Sequence, residues 1–340
     1  MKDIKNLIVI GASAGGYKAI AELISKIPAD LPTAVLVVLH LSRESMVEVM
    51  QVHLQKRTTF KCCIPEDGEE IKAGHLYLAP TDRHMLVKPG VIHISSGPHE
   101  NRWRPSIDVL FRSAAVAYNS RTIGVVLTGM LDDGTSGMSA IKRCGGTCIV
   151  QEPSEAEFPD MPSNVLLNVD VDYRVHISDI GYVLEDIFSK SVKAHEIPRD
   201  LKIEADITER MTSSMDDLKQ IAQHSVFTCP ECGGGLWKLN NDPARRYRCH
   251  TGHTYNEEVL LKTQAENIEA SLWVSIRMME ERKNLLKSMG AHASASGASK
   301  LSAGYAESAD SIDVHIERLK GFLNTLHKDG SIVQEDYTEK

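Results

Sequence analysis

The chain has 340 residues, 42% hydrophobic and 25% charged, with a net charge of −8. That supports one large core plus a smaller module and gives no global attraction for nucleic acid. No apolar run is long enough to span a bilayer, no secretion signal opens the chain, and seven unevenly spread cysteines fit a reducing compartment, so a cytoplasmic protein without membrane insertion is expected.

The first strand-like run is Leu7-Ile-Val-Ile10, followed by the small-residue turn Gly11-Ala-Ser-Ala-Gly-Gly16 and an amphipathic run from Tyr17 to Ile27. Glycines permit the sharp, positive-φ backbone of a nucleophile-bearing elbow, and the next helix aims free N–H groups at the same spot. A phosphate or dinucleotide cradle would also suit a glycine turn. Ser13, however, stands where that fingerprint needs glycine, and no P-loop Gly-Lys-Ser/Thr is present.

The second apolar run, Ala34 to Leu39, is followed by His40, and the run Thr122 to Thr128 leads to Asp132 and Asp133. Each of these polar residues has a plainer reading, as a hydrogen-bonded loop residue or an Asp-Gly turn, and Asp132 could take the role of Asp133. Open α/β sheets nevertheless gather residues from the carboxyl ends of their strands at one rim. A serine, a histidine and an aspartate placed there suggest acyl transfer. Their chain order, Ser, His, Asp, differs from that of α/β-hydrolases.

Between these strands, Gly74–Ala79 and His84–Ser95 alternate around a Pro89-Gly90 turn and predict a β-hairpin added antiparallel to the main sheet. Arg102 and Arg104 follow, as solvated or capping residues or as contacts for an acidic helix. Cys144 and Cys148 flank Gly145-Gly146 and read as buried structural thiols.

Six blocks carry a family resemblance. They are Ile8-Val-Ile-Gly-Ala-Ser-Ala-Gly-Gly16, Val38-Leu-His40, Arg104-Pro-Ser-Ile-Asp-Val-Leu-Phe-Arg-Ser-Ala-Ala115, Leu127-Thr-Gly-Met130, Asp133-Gly-Thr-Ser-Gly-Met138 and Met161-Pro162. In content and order the chain resembles the chemotaxis protein-glutamate methylesterases, the CheB family, over about residues 5 to 188. The resemblance implies a doubly wound α/β fold, with a mainly parallel sheet and helices on both faces. It implies hydrolysis of glutamyl methyl esters on the cytoplasmic helices of chemoreceptors, or on another methylated signalling protein, with glutamine deamidation as a further activity.

By motif match Ser13 is the nucleophile, His40 the general base and Asp133 its orienting partner. Backbone N–H groups around Ala14, Gly15 and Met130 are expected to bind the oxyanion, and catalysis needs no metal or organic cofactor. Two departures are visible. Ala14 stands where the family usually has threonine, and the chain enters its first catalytic strand without the receiver domain that normally precedes it, so control by aspartyl phosphorylation within the chain is not expected.

Beyond residue 188 the composition changes. Residues 189–225, with Lys190, Lys193, Glu196, Arg199, Asp200, Lys202 and Glu204, read as a linker with some helix. Within 226–256, Cys229-Pro-Glu-Cys232 and Cys249-His-Thr-Gly-His253 are separated by 16 residues, the spacing of a tetrahedral structural zinc site. Cys229, Cys232, Cys249 and His253 are the expected Zn²⁺ ligands, with His250 the rival for the fourth place.

Residues 257–340 read as a helical hairpin and tail. Val259, Leu260, Ile268, Leu272, Ile276 and Met279 mark one helix between Tyr255 and Lys287. Ile312, Ile316, Leu319 and Leu323 mark another between Ala306 and Leu326, after an Ala/Ser/Gly-rich loop from Gly290 to Gly304. Met278 and Met279 read as core, and an exposed face of the pair could support self-association. The competing class is a non-enzymatic signalling scaffold acting through the zinc and helical modules, which the joint presence of Ser13, His40 and Asp133 disfavours. A nucleotide-binding oxidoreductase is third.

Overall fold

The computed structural model describes residues 4–28, 30–41 and 46–329. Contacts divide the chain into two compact units, Met1–Val259 and Leu260–Lys340. Among the described residues no helix is long and apolar enough to cross a membrane.

The first unit is built on a seven-stranded sheet of β1 (Asn6–Ala12), β2 (Thr33–Leu39), β3 (Lys61–Cys63), β4 (His75–Leu78), β7 (Thr122–Val126), β8 (Thr147–Gln151) and β9 (Tyr173–Val175), in the order β3-β4-β2-β1-β7-β8-β9. Every pairing is parallel. Such a sheet is covered on both faces, which is why its central strands read as continuous apolar runs. Ile8, Ile10, Val35 and Val37 pack under α1 (Gly16–Ile24), α2 (Val47–Gln55) and α6 (Ile177–Ser189). Leu7, Val9, Leu36 and Val38 face the opposite core with α3 (Ile107–Tyr118), α4 (Thr135–Arg143) and α5 (Asp160–Asn168).

The antiparallel hairpin exists, as β5 (His84–Lys88) and β6 (Val91–Ser95), but it forms its own two-stranded sheet rather than extending the main one. Its apolar face explains the difference: Met85, Val87 and Ile92 are driven into the core beside α3, and the Val87 N–H donates to Ser113 Oγ at 3.0 Å. The strand at Gly74–Ala79 is β4, which pairs parallel with β2 and β3.

The charged segment read as a linker contains two packed helices, α7 (Arg199–Arg210) and α8 (Met215–Ile221), the latter closed by a capping box between Ser214 and Asp217. A four-stranded antiparallel ribbon follows, in the order β10 (Ala222–Thr228), β11 (Gly235–Leu239), β12 (Tyr247–Cys249) and β13 (Thr254–Tyr255). What joins it to the sheet domain is a buried ion network. Glu100 receives Arg112 at 2.8 Å, Arg248 at 3.1 Å and Arg246 at 3.4 Å; Arg246 also reaches Glu204 of α7 at 2.9 Å and Asp242 at 2.6 Å. Burial alone would raise the Glu100 carboxyl, but the three arginines hold it well below the usual carboxylate range.

The second unit contains most of α9 (Glu257–Ala295) and all of α10 (Ser299–Asp329). Ile276, Ile316 and Leu323 form its core, with Leu272, Met279, Ile312 and Leu319 against them, while Met278 and Ile268 are exposed. The Ala/Ser/Gly-rich stretch is almost entirely helical, which corrects the expected loop: only residues 296–298 separate the helices. Gly290 lies against α10, where Ser302 Oγ donates to its carbonyl at 2.9 Å, and the reversal falls at Gly297, with φ +80°.

A carboxyl held below its usual value contributes stability above the unfolded-state value of about 4.3 and loses it as the pH falls. The first unit is therefore expected to weaken progressively in acid through Glu100. Glu100→Ala, which strands buried arginines, should cost about 3–5 kcal/mol in chemical denaturation at pH 7, whereas Glu281→Ala, removing half of an exposed pair with Arg277, should leave the midpoint in place.

Candidate active site and metal centre

Because β1 lies between β2 and β7, the carboxyl ends of these three strands form adjacent corners of one rim. The Ser13 N–H donates to the Thr128 carbonyl at 3.0 Å, the His40 N–H to the Ala12 carbonyl at 3.1 Å, and Thr128 Oγ1 to the Ala14 carbonyl at 3.1 Å. The elbow is thus fastened from both neighbouring strands. Gly15, at φ +70°, adopts the left-handed conformation that caps α1. Gly129 is required by proximity instead: a Cβ there would lie 2.1 Å from Met161 Sδ and 2.8 Å from Ser13 Cβ.

Ser13, His40 and Asp133 meet at this rim. His40 Nδ1 is 3.2 Å from Ser13 Oγ, and His40 Nε2 is 2.8 Å from Asp133 Oδ2, both ring nitrogens being engaged. The ring orientation reverses the commoner triad, in which Nε2 faces the hydroxyl. With Nε2–H donated to a carboxylate, the neutral imidazole leaves its Nδ1 lone pair toward Ser13. Such a chain can activate a hydroxyl as a nucleophile.

Asp133 is buried just before α4, and its carboxylate reaches the start of α3. It accepts from the Ile107 N–H at 2.8 Å, the Asp108 N–H at 3.1 Å and Ser106 Oγ at 3.0 Å. Burial would raise its carboxyl, but the His40 hydrogen bond and these N–H donors hold it below its ordinary value. Asp108 returns the arrangement, accepting from Gly134 N–H at 3.0 Å and Gly137 N–H at 2.6 Å at the start of α4. Burial, reinforced by the charge of Asp133, pushes Asp108 well up, so of the two neighbouring acids Asp133 is the one held ionised.

Asp132 does not substitute for Asp133: its Oδ1 accepts from Asn256 Nδ2 at 2.5 Å, and burial pushes its carboxyl up to about 6. Met130 follows Gly129 at the same rim, with its side chain 49% exposed. Among the described residues no hydrogen bond engages the N–H groups of Ala14, Gly15 or Met130. Arg104 is committed to Asp82 at 2.8 Å and to the Ser96 and Gly97 carbonyls. Cys144 and Cys148 are buried free thiols, burial pushing them up to about 11 and about 12.

Three contributors escaped the sequence reading. Ser106 and Asp108 lie inside the Arg104–Ala115 block, where a Pro-Ser-x-Asp helix start is a legible signal for capping but not for whom the cap serves. Trp103, whose ring lies over His40 with centroids 3.9 Å apart and planes 8° from parallel, has no sequence signal.

Cys229, Cys232, Cys249 and His253 converge in the ribbon, their ligand atoms all within 4.8 Å of one another. The distances suit a tetrahedral ion, which needs about 3.8 Å between sulfurs and about 3.6 Å from sulfur to nitrogen. Cys232 Sγ to Cys249 Sγ is 3.7 Å, and His253 Nδ1 is 3.5 Å from Cys249 Sγ and 3.8 Å from Cys229 Sγ. His253 Nε2 is 3.1 Å from the Glu231 carboxylate, the outer contact that orients a metal-ligating histidine. His250 lies outside the group and is exposed.

Comparison with known families matches residues 8–184, more than half of the chain, to the CheB methylesterase model. The chain belongs to the CheB methylesterase family. Among CheB-type relatives, a putative protein-glutamate methylesterase/protein-glutamine glutaminase of Leptospira interrogans is 38% identical over 175 residues, covering 51% of this chain and 90% of the relative. A protein-glutamate methylesterase/protein-glutamine glutaminase 2 of Methanosarcina mazei is 36% identical over 199 residues, covering 56% of this chain but only 52% of the relative. The crystal structure of the Thermotoga maritima CheB methylesterase catalytic domain superposes with a TM-score of 0.52 at 31% identity, covering 54% of this chain and 98% of that domain. Ser13, His40, Gly129 and Asp133 all fall inside the CheB-matched region.

Gly129→Ala is expected to lower stability by about 1–3 kcal/mol through overpacking and to displace Ser13. Denaturation with labelling by a serine-directed phosphonate would read both effects, the labelling rate falling well below that of the wild type.

Proposed function

We propose that this protein is a cytoplasmic serine esterase that hydrolyses glutamate methyl esters on a methylated signalling protein and releases methanol. The observation that carries the reading is the continuous hydrogen-bonded chain Ser13–His40–Asp133 inside a domain whose relatives are named protein-glutamate methylesterases.

In this reading His40 Nδ1 takes the Ser13 proton as Oγ attacks the ester carbonyl. Backbone N–H groups of Ala14, Gly15 and Met130 receive the tetrahedral oxyanion. The imidazolium then returns its proton to the departing methoxide, leaving methanol and an acyl-enzyme. Water, deprotonated by His40, cleaves that intermediate and regenerates Ser13. Asp133 keeps the Nε2–H tautomer and stabilises the imidazolium, supported by the N–H groups of Ile107 and Asp108. The same acyl transfer from a glutamine side chain would release ammonia, matching the glutaminase half of the relatives' names.

The favoured substrate is the methylated cytoplasmic helix of a chemoreceptor. Zinc is proposed to occupy Cys229, Cys232, Cys249 and His253; when bound it supplies a structural crosslink, since four protein ligands leave no open position.

Wild-type protein should release methanol from methylated receptor fragments, and Ser13→Ala should reduce release to background. Asp133→Asn should retain the fold and lower kcat by about 10³–10⁴-fold. Release from Ser13→Ala at the wild-type rate would remove the esterase mechanism, and no release by folded wild type would favour the scaffold reading.

Protein purified without chelator should hold about one zinc per chain by elemental analysis, and Cys249→Ala should hold none. His250→Ala should keep its zinc, whereas His253→Ala should lose it.

A further inference from the structure

We propose that Trp103 is a positioning residue for His40, and that the metal-binding ribbon sets where Trp103 lies. The inference rests on the reading of Ser13, His40 and Asp133 as the catalytic triad.

The contact is intimate: the indole and imidazole planes are 8° apart with centroids at 3.9 Å. His40 therefore has Asp133 on its Nε2 edge, Ser13 at Nδ1 and an aromatic face against its plane. A ring held on edge and face cannot turn Nδ1 away from Ser13 without displacing the indole. When His40 takes up the Ser13 proton, the imidazolium forms against the electron-rich face, a cation–π contact strengthened by burial. Asp133 is the charged group bonded to His40 among the described residues. The Arg104 guanidinium is bonded to Asp82 and to the Ser96 and Gly97 carbonyls.

What fixes Trp103 is unusual. It closes a tight turn in which the Trp103 N–H donates to the Glu100 carbonyl at 2.9 Å and the Glu100 N–H to the Trp103 carbonyl at 3.3 Å. Both central residues, Asn101 and Arg102, are non-glycine residues at positive φ, +49° and +68°. Such a turn persists only where its surroundings over-determine it.

Those surroundings are the ribbon. The Asn101 N–H donates to the Thr254 carbonyl at 2.8 Å, the Thr254 N–H to the His99 carbonyl at 3.3 Å, and the Asn256 N–H to Asn101 Oδ1 at 3.1 Å. The Glu100 side chain is gripped by Arg246 and Arg248 from the same ribbon. Thr254 directly follows His253, whose Glu231 partner also lies 3.7 Å from His99. The metal cluster is thus one residue from the strand that pins the turn under Trp103.

The test uses the full-length, zinc-loaded protein, with kcat and KM measured across pH for wild type, Trp103→Ala and Trp103→Phe, and with Ser13→Ala alongside. Trp103→Ala should lower kcat by about tenfold with KM little changed, and should move the acid limb of the kcat profile to lower pH, because the imidazolium loses its ring face. Trp103→Phe should recover most of the rate. An alanine variant with unchanged kcat and limb, or a phenylalanine variant no better than alanine, overturns the role of Trp103. Wild-type turnover by Ser13→Ala would instead defeat the underlying triad reading.

The ribbon's part is read from Trp103 emission, taken as wild type minus Trp103→Phe, while a chelator removes zinc. Loss of the stacked, quenching imidazole should raise this difference signal, with kcat falling in parallel and both returning when zinc is restored. Complete zinc removal, or failure to take up zinc at all, with the difference signal and kcat at their wild-type values overturns it.

Discussion

Glu100 is the constraint on which the arrangement depends. One carboxylate, removed from water, faces guanidinium groups from the sheet domain and from the ribbon. The desolvation of so many charges is tolerable only if every partner is present and correctly placed, so the network is unforgiving of alternative packings. Its backbone is equally committed, opening the turn that carries Trp103 and lying beside the ribbon's last strand. The chemistry at the rim and the fold of the ribbon therefore share a residue that belongs to neither Ser13's elbow nor the metal cluster.

The rim itself is assembled from helix starts. Asp133 precedes α4 and satisfies the first N–H groups of α3, while Asp108, in the first turn of α3, satisfies those of α4. Each helix start supplies the acceptor oxygens its neighbour needs. Together with the His40 hydrogen bond, this reciprocal capping holds the Asp133 carboxyl below its ordinary value, and it ties the geometry of the His40 contact to the packing of two helices.

Much of this was legible in the chain. The apolar runs at 7–10, 34–39 and 122–128 announced parallel strands because both faces of the sheet are covered, and their ends put Ser13, His40 and Asp133 at one rim. The cysteine spacing groups Cys229, Cys232 and Cys249, and the structure brings His253, not His250, to them. The differences have physical causes. The charged composition of residues 189–225 predicts a linker with some helix, and does not reveal that Glu204 is buried, where Arg246 and Arg112 meet it. Small residues at 290–304 predict a loop, but close helix approach also favours Ala, Ser and Gly, and the stretch is almost entirely helical. Trp103 and the reversed ring of His40 depend on contacts between segments far apart in the chain, which local pattern does not encode.

The shared ion network also bears on how such a chain can change over generations. With Arg246 and Arg248 as partners of Glu100, deleting the ribbon would strip the carboxylate of two cations and of the strand that covers its backbone, and replacing Glu100 would remove an anion that both arginines share. Either single step is costly while the combined change is not reachable at once. The appended segment is in that sense entrenched: recombination that exchanges the C-terminal part must carry the matching surface of the sheet domain with it, so the two are expected to be inherited as one block.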